Sequence, residues 1–253
     1  MKVQVKELIK LLKFANVHTK GLDKGKKVQL ISDAMLTGEN GKLRIIACPN
    51  SGNIHYDIGI PAIVEGLEKI PVSDIKDFIK FLAIFEGEIE LTLDENNILV
   101  TDSSVNAIFK TTRTINAVLG LTNNGGKIHN DNEFMGYGTV ENYNVSYAIT
   151  DPSYIAKVIK KTSDSLGIYD HKFEIGDDDL FIKCRNSNKG DIISAIQCEV
   201  FGEPTHGTYS IGVDHVFNFM EDEVILYMGL NKPMVITDSS GNVVVLFAIK
   251  GQA

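Results

Sequence analysis

The sequence predicts an α+β fold made of two duplicated domains, each with antiparallel sheets and two helices, and three features support this prediction. A β-hairpin pattern near the middle of the chain recurs at its end, and a strand followed by an amphipathic helix opens each half. A segment rich in Asn and Gly separates the halves. The chain of 253 residues has room for two domains of ordinary size. The predicted limits are 1–113 for the first domain, 114–142 for the connector and 143–253 for the second domain.

The elements of the two halves follow in the same order. MKVQV runs into the helix KELIKLLKFANV, and NYNVSYAI runs into DPSYIAKVIKKTSDSL, where Asp151 is placed to cap the helix and Pro152 to occupy its first position. Two or three alternating strands come next: VQLISD, KLRIIAC and IHYDIGI in the first half, and KFEIGD, LFIKCR and DIISAIQCEV in the second. A second helix follows in each half, PVSDIKDFIKFLAIF with Ser73 or Asp74 as its cap, and the shorter GVDHVFNFM.

A hairpin closes each half, at residues 87–112 and 222–251. The tetrapeptide TDSS occurs in both, at 101–104 and 237–240, which are 136 positions apart. Apolar residues alternate on both sides of it, as a β-hairpin requires. The predicted alignment pairs Ile89 with Ile225, Leu91 with Tyr227, and Val100 with Ile236.

Charge is distributed unevenly along the chain. Residues 1–27 contain eight lysines against two acidic residues, a balance of +6, and the remainder contains 17 basic and 31 acidic residues, which gives −14 and a total of −8. The sequence therefore predicts a basic surface on an acidic protein. Lysines also lie on three of the four predicted helices: Lys6, Lys10 and Lys13; Lys76 and Lys80; Lys157, Lys160 and Lys161.

The composition excludes several classes of protein. Cys48, Cys184 and Cys198 are widely spaced and form no CxxC pair, so neither a disulfide framework nor a zinc site is expected. No apolar run is long enough for a membrane span, and the lysines of the N-terminal helix are atypical of a signal peptide, so we expect a cytoplasmic protein without membrane partners. Asp177, Asp178 and Asp179 fall where a hairpin turn is needed, which favours a solvated turn over a metal site. No nucleophile, base and orienting group assemble, so we predict no catalytic activity, no metal and no cofactor.

The duplicated order of elements resembles the DNA polymerase sliding clamps of the proliferating cell nuclear antigen type and of T4-like phages, over essentially the whole chain. The resemblance implies a ring of three subunits, a homotrimer with pseudo-sixfold symmetry, in which sheets lie outside and helices line a hole around duplex DNA. The expected partners are double-stranded DNA, a DNA polymerase, a clamp loader and other replication proteins that bind through short peptides. The DNA-facing residues would then be Lys6, Lys10, Lys13, Lys76, Lys80, Lys157, Lys160 and Lys161.

The same resemblance implies two protein-binding surfaces. The subunits would join by pairing the strand 105–113 of one chain with 191–199 of the next, through Val105, Ile108, Ile193 and Ala195. Partner peptides would bind a pocket beneath the connector, with apolar candidates Ile54, Tyr56, Leu119, Leu121 and Ile249.

Two other functions remain open at this point. A monomeric processivity factor with the same paired domains would share the basic helices without closing a ring. A β-rich structural or interaction protein would need no lysine stripes. The mass of the native particle distinguishes the first from a ring, and binding to nicked circular DNA distinguishes the second.

Overall fold

In the computed structural model the chain forms two compact units, Met1–Lys127 and Ile128–Ala253. The structure describes a set of residue ranges covering most of both units. These ranges are 1–16, 18–20, 27–29, 33–39, 41–47, 54–66, 68–111, 129–130, 133–134, 138–139, 147–167, 170–202, 205–210, 217, 220, 223–229 and 234–246. No described helix is both long enough and apolar enough to cross a bilayer.

Unit 1 contains two described helices, α1 (Val5–Ala15) and α2 (Ile75–Leu82), and ten described strands. The strands are β1 Lys2–Gln4, β2 His18–Lys20, β3 Lys27–Gln29, β4 Ala34–Glu39, β5 Lys42–Ala47, β6 Ile54–Pro61, β7 Glu68–Val72, β8 Glu88–Asp94, β9 Asn97–Thr101 and β10 Asn106–Lys110. They pair antiparallel in the orders β1-β8-β9-β10, β6-β5-β4-β7 and β2-β3. Helix α1 packs against β5, β6 and α2.

Unit 2 contains the described helix α3 (Pro152–Leu166) and twelve described strands. The strands are β11 His129–Asn130, β12 Glu133–Phe134, β13 Gly138–Thr139, β14 Tyr147–Thr150, β15 Asp170–Ile175, β16 Asp179–Asn186, β17 Gly190–Gln197, β18 Glu199–Phe201, β19 Thr205–Ser210, β20 Val224–Tyr227, β21 Met234–Asp238 and β22 Val243–Leu246. They pair in the orders β18-β14-β20-β21-β22, β17-β16-β15-β19, and the short β11-β12-β13 within the segment predicted as the connector. Helix α3 packs on β16 and β17.

The strand orders confirm the duplicated α+β fold. The order β1-β8-β9-β10 of unit 1 corresponds to β14-β20-β21-β22 of unit 2, and β6-β5-β4-β7 corresponds to β17-β16-β15-β19. In each unit the first helix follows the first of these strands and packs on the second group. The second helix predicted for unit 2, at 212–220, lies outside the described residues except for Phe217 and Met220, which are both buried.

The repeated TDSS segment makes a turn centred on its aspartate in both units, and the second turn is one residue longer than the first. Asp102 Oδ1 accepts hydrogen bonds from the backbone N–H of Ser104 at 2.7 Å and of Val105 at 2.6 Å. Asp238 Oδ1 accepts from the backbone N–H of Ser240 at 3.0 Å and of Asn242 at 2.9 Å. Each aspartate thus replaces strand hydrogen bonds where the chain reverses.

The predicted alignment of the first hairpin strands is wrong by one residue. Leu91 lies opposite Val100 in unit 1, and Leu226 lies opposite Ile236 in unit 2, so Leu91 corresponds to Leu226 and not to Tyr227. By the same register Ile89 corresponds to Val224 and not to Ile225. The burial of the side chains agrees with this register. Ile89, Leu91, Val224 and Leu226 are all buried, whereas Ile225 and Tyr227 are half-exposed. A slip of one residue moves a strand's apolar side chains to the opposite face, which makes the corrected register the one compatible with a core.

Six described strands, not two or three, separate the helices of unit 1, because the sequence reading missed the short β2 and the longer β4 and β7. In β4 the first five residues are all buried, so the alternation expected of a half-exposed strand is absent. In β7 Pro71 interrupts a pattern that otherwise favours a strand. In unit 2 the sequence analysis did not predict β19.

Candidate functional site

The lysines of α1 lie opposite its buried face. Five residues of this helix are buried: Val5, Leu8, Leu11, Leu12 and Ala15. Lys6, Lys10 and Lys13 are exposed, and with about 3.6 residues per turn they fall within about 60° of one another around the helix axis. The helix therefore presents one basic stripe to solvent while the other side packs on the sheet.

Helix α2 carries two further exposed lysines, one of which has an acidic partner. Asp74 caps the helix by accepting the backbone N–H of Asp77 at 2.9 Å, as predicted. Lys80 Nζ lies 2.6 Å from Asp77 Oδ1, and this hydrogen bond and ion pair lower the pKa of Asp77 and raise that of Lys80. Both side chains are more than half exposed, so solvent screens the pair. Lys76 therefore offers the less compensated positive charge on α2.

Helix α3 presents three exposed lysines, Lys157, Lys160 and Lys161. The predicted start is confirmed: Asp151 accepts the backbone N–H of Ser153 at 2.7 Å, and Pro152 occupies the first position. The helix ends at Gly167, whose φ of 67° is in the left-handed region that glycine tolerates.

The basic residues of α1 and α3 occupy corresponding positions. Val3 and Thr150, 147 positions apart, pair with the corresponding Ile89 and Val224. The same offset matches Lys10 to Lys157 and Lys13 to Lys160. It also matches buried residues to buried residues: Val5 to Pro152, Leu8 to Ile155, Leu12 to Ile159 and Ala15 to Thr162. The duplicated fold therefore places two lysines at the same points of both units.

Acidic residues share the surfaces of these helices. Glu7 is exposed on α1 and Asp164 on α3, beside the lysine positions. The spacing of Asp77 and Lys80, three residues apart on one helix, was the sequence signal for the pair.

The predicted subunit contacts lie on strands that end their sheet orders. Strand β10 is terminal in β1-β8-β9-β10, and β17 is terminal in β17-β16-β15-β19. Ile108 on β10 is 58% exposed and Ile193 on β17 is 63% exposed, so both are large apolar side chains in solvent. Ala195 is exposed as well, and Val105, just before β10, is half-exposed.

The predicted peptide pocket is largely beyond what the structure describes. Leu119, Leu121 and Ile249 lie outside the described residues, and of Ile54 and Tyr56 the structure describes the backbone within β6. The structure therefore gives no geometry for this pocket.

The alternative chemistries gain no support from the described residues. Asp177 and Asp178 are exposed in the turn between β15 and β16. Within the described ranges, no three His, Cys, Asp or Glu side chains are grouped as ligands of a metal would be. Cys184 is buried, and burial raises the pKa of the half-buried Cys198 thiol.

Solved structures of bacterial replication proteins share this fold, although no protein-family model and no curated protein sequence matches the chain. The DNA polymerase III β subunit of Thermotoga maritima matches with a TM-score of 0.71 at 12% identity, covering 100% of this chain and 65% of that one. The DNA polymerase sliding clamp of Pseudomonas aeruginosa matches with 0.71 at 11%, covering 99% and 66%. The polymerase III β subunit of Caulobacter crescentus matches with 0.68 at 14%, covering 99% and 65%. The chain thus has the sliding-clamp fold and spans about two-thirds of the length of the chains it matches.

Proposed function

We propose that this chain, which has the sliding-clamp fold, is a subunit of a DNA sliding clamp, a non-enzymatic factor that encircles duplex DNA and holds a polymerase on it. The observation that carries the proposal is the repeated lysine pattern. Lys10 and Lys13 of α1 recur as Lys157 and Lys160 of α3, exposed and opposite the buried face in both helices. The proteins that share the fold are, by name, DNA polymerase III β subunits and sliding clamps.

Lysines suit a protein that must move along DNA. A lysine ammonium attracts phosphate as a point charge on a flexible stem, without the planar, two-point geometry by which arginine fixes a contact. Such contacts are independent of base sequence and weaken steeply with salt. The acidic balance of the chain, −8 in total, disfavours DNA on surfaces away from the lysines.

The two edge strands are the surfaces through which the proposed ring would close. A head-to-tail contact between different surfaces of identical subunits closes into a ring when its rotation is suitable. We propose that β10 of one chain pairs with β17 of the next, through Ile108 and Ile193 with Val105 and Ala195 nearby. Three chains of two units each would form the homotrimer. A subunit of two domains is the form that the resemblance to the nuclear antigen and T4-like clamps implies.

The remaining partners belong to the same proposal. A polymerase, a clamp loader and other replication proteins would bind through short peptides at a pocket formed by Ile54, Tyr56, Leu119, Leu121 and Ile249. The ring would act in the cytoplasm, at the site of replication.

Charge reversal on the helices tests the function. The variant Lys10→Glu with Lys157→Glu should lose processive synthesis on primed circular DNA, because a repulsive hole opposes entry of the duplex. The control is Lys69→Glu with Lys189→Glu, which changes the net charge equally at two positions outside the helices. Direct binding of the helical variant to duplex should show a smaller salt slope, by about one for each phosphate that its side chains no longer neutralise. Equal impairment by both variants would contradict a DNA-facing role for the helices.

A further inference from the structure

The two edge strands that the proposed function joins carry opposite charges. Strand β10 has Lys110 as its only charged residue, at its last position, and β17 has Asp191 as its only charged residue, next to its first. Both side chains are exposed. In an antiparallel pair the end of one strand meets the beginning of the other, so these two charges can lie face to face.

The faces of the strands restrict how they pair. The Phe109 ring of β10 lies 4.9 Å from that of Phe78 and 5.3 Å from that of Phe81, so this residue points to the side of α2. Ile196 of β17 is buried on a strand that packs against α3. Ile108 and Ile193 therefore point to the side of their sheets opposite α2 and α3.

Residues that lie directly opposite each other in a sheet point to the same face. The helices of both copies therefore lie on one side of the joined sheet only if Ile108 is opposite an odd-numbered residue of β17. Four such registers exist, with Ile108 opposite Asp191, Ile193, Ala195 or Gln197. The first places Lys110 opposite Lys189, a like charge. The last two place Lys110 opposite Ile193 or Ala195 and leave Asp191 beyond the last residue of β10.

We infer that β10 of one copy and β17 of a second copy pair in the remaining register, with Lys110 opposite Asp191 and Ile108 opposite Ile193. Phe109 then lies opposite Ile192, and Asn106 lies opposite Ala195. Each face of the new ladder gains an apolar pair, Ile108 with Ile193 outside and Phe109 with Ile192 on the helix side. The inference rests on the proposed ring and adds its register and the charge pair that selects it.

The groups involved are accessible in the free chain. Asp191 Oδ1 lies 3.5 Å from Arg185 Nε in a pair whose side chains are 55% and 85% exposed, so solvent screens it and Asp191 is available to a second cation. Phe109, Phe81 and Ile192 are each half-exposed, which leaves apolar surface on the helix side for the second copy to cover.

Cysteine cross-linking tests the register after light scattering has given the native mass of the wild type. In a background with Cys48→Ser and Cys198→Ser, the variant Ile108→Cys with Ile193→Cys should form covalent oligomers on mild oxidation, because opposite Cβ atoms lie about 4.5–5.5 Å apart. The matched controls are Ile108→Cys combined with Asp191→Cys or with Ala195→Cys, whose Cβ atoms would be displaced along the ladder. Preferential cross-linking of a control pair would overturn the register while leaving the ring intact. A monomeric wild type would overturn the ring itself and the register with it.

Homotypic pairing is tested with Ile108→Cys alone. This variant should remain uncross-linked, because Ile108 of one copy faces Ile193 of the next. Cross-linking of the single variant would show that β10 pairs with β10 and would overturn the head-to-tail arrangement.

A charge exchange tests the pair between Lys110 and Asp191. Lys110→Glu or Asp191→Lys alone should raise the dissociation constant of the oligomer at least about tenfold, and the two together should restore it to within about threefold. Lys69→Glu, the same charge change on β7, which takes no part in the proposed pairing, should leave the constant unaltered. Failure of the double variant to recover, with each single variant weakened, would contradict the pairing of these two residues.

Discussion

Helix α1 of unit 1 and helix α3 of unit 2 occupy the same place in the same strand order, yet they are stabilised differently. No side chain caps α1 at Gln4, and its buried residues are all apolar. Helix α3 has the Asp151 cap and an αL glycine at its end, and it buries Thr162 where α1 buries Ala15. The lysines at corresponding positions therefore lie on helices that are stabilised by different interactions.

The polar contact in unit 2 ties its helix to the adjacent strand. Thr162 Oγ1 lies 2.9 Å from His171 Nε2 of β15 and 2.9 Å from the carbonyl oxygen of Ile159. A hydroxyl carries one proton, so donation to the carbonyl leaves it to accept from an N–H of the imidazole. Both residues are buried, which makes this hydrogen bond part of the core.

The largest expected effect tests whether the two cores are equivalent. Leu12 and Ile159 occupy corresponding positions and are both buried, so truncating either to Ala should lower the free energy of unfolding of its own unit by about 2–5 kcal/mol. Hydrogen exchange followed by mass spectrometry reports each unit separately. A decrease below about 1 kcal/mol at one of the two positions would break the equivalence.

Removal of the cap should distinguish the helices. Asp151→Ala should destabilise α3 by about 1 kcal/mol, because the first amides then have no side-chain acceptor, whereas Gln4→Ala should change α1 very little. Asp151→Asn is the control, since an amide oxygen caps equally well. Protection of the amides of residues 153–155 from exchange measures the effect, and equal decreases in Asp151→Ala and Gln4→Ala would contradict it.

The hydroxyl of Thr162 should contribute a similar or smaller amount. Thr162→Val keeps the shape and removes the hydrogen bond, so urea denaturation should show a destabilisation of about 0.5–1.5 kcal/mol. Thr162→Ser retains the hydroxyl and should recover most of this stability. A valine variant as stable as the wild type would show that the contact with His171 adds nothing to the core.

The smallest effect is a pH dependence that distinguishes the first turn of α3 from that of α1. The Ser153 hydroxyl and the backbone N–H groups at the start of α3 hold the pKa of Asp151 below its ordinary value of 3.8. A carboxyl whose pKa is lower in the folded state stabilises it above the ordinary pKa, and this contribution disappears as the pH falls below about 4. The first turn of α3 should therefore become less protected on acidification before that of α1 does. Asp151→Asn should remove the difference, and an unchanged pH profile in that variant would contradict the assignment.

The fold could be predicted from the sequence wherever one face of an element is buried and the other is exposed. The amphipathic patterns of α1, α2 and α3 gave helices with the expected lysines exposed, and the TDSS repeat marked the turns at corresponding places of the two units. The pattern failed for β4, which is buried along most of its length and does not alternate, and for β7, where Pro71 obscures the strand. The one-residue error between Leu91 and Tyr227 had a different cause, because adjacent apolar residues in VILY fit either face until the partner strand fixes the register.

The candidate site was predictable in part, because amphipathic spacing shows which side chains of a helix are exposed. Exposed lysines follow from helical spacing alone, whereas Ile108 and Ile193 were chosen from the resemblance to a ring-forming fold, and the structure shows them exposed on terminal strands. The pairing of Lys80 with Asp77 and the contacts of Phe109 with α2 depend on side-chain positions that spacing does not determine.

The most direct test of the account is retention on DNA of different topology. The protein is assembled on nicked circular DNA with the loader of its own replication system, and the complex is passed through a gel-filtration column at a salt concentration that abolishes direct binding to duplex. We predict that it stays with the circle, leaves when a restriction enzyme linearises the DNA, and is retained again when bulky proteins block both ends. Persistence on linear DNA with free ends, or release from the intact circle at the same salt concentration, would contradict encirclement and would indicate a protein that binds DNA through an open surface.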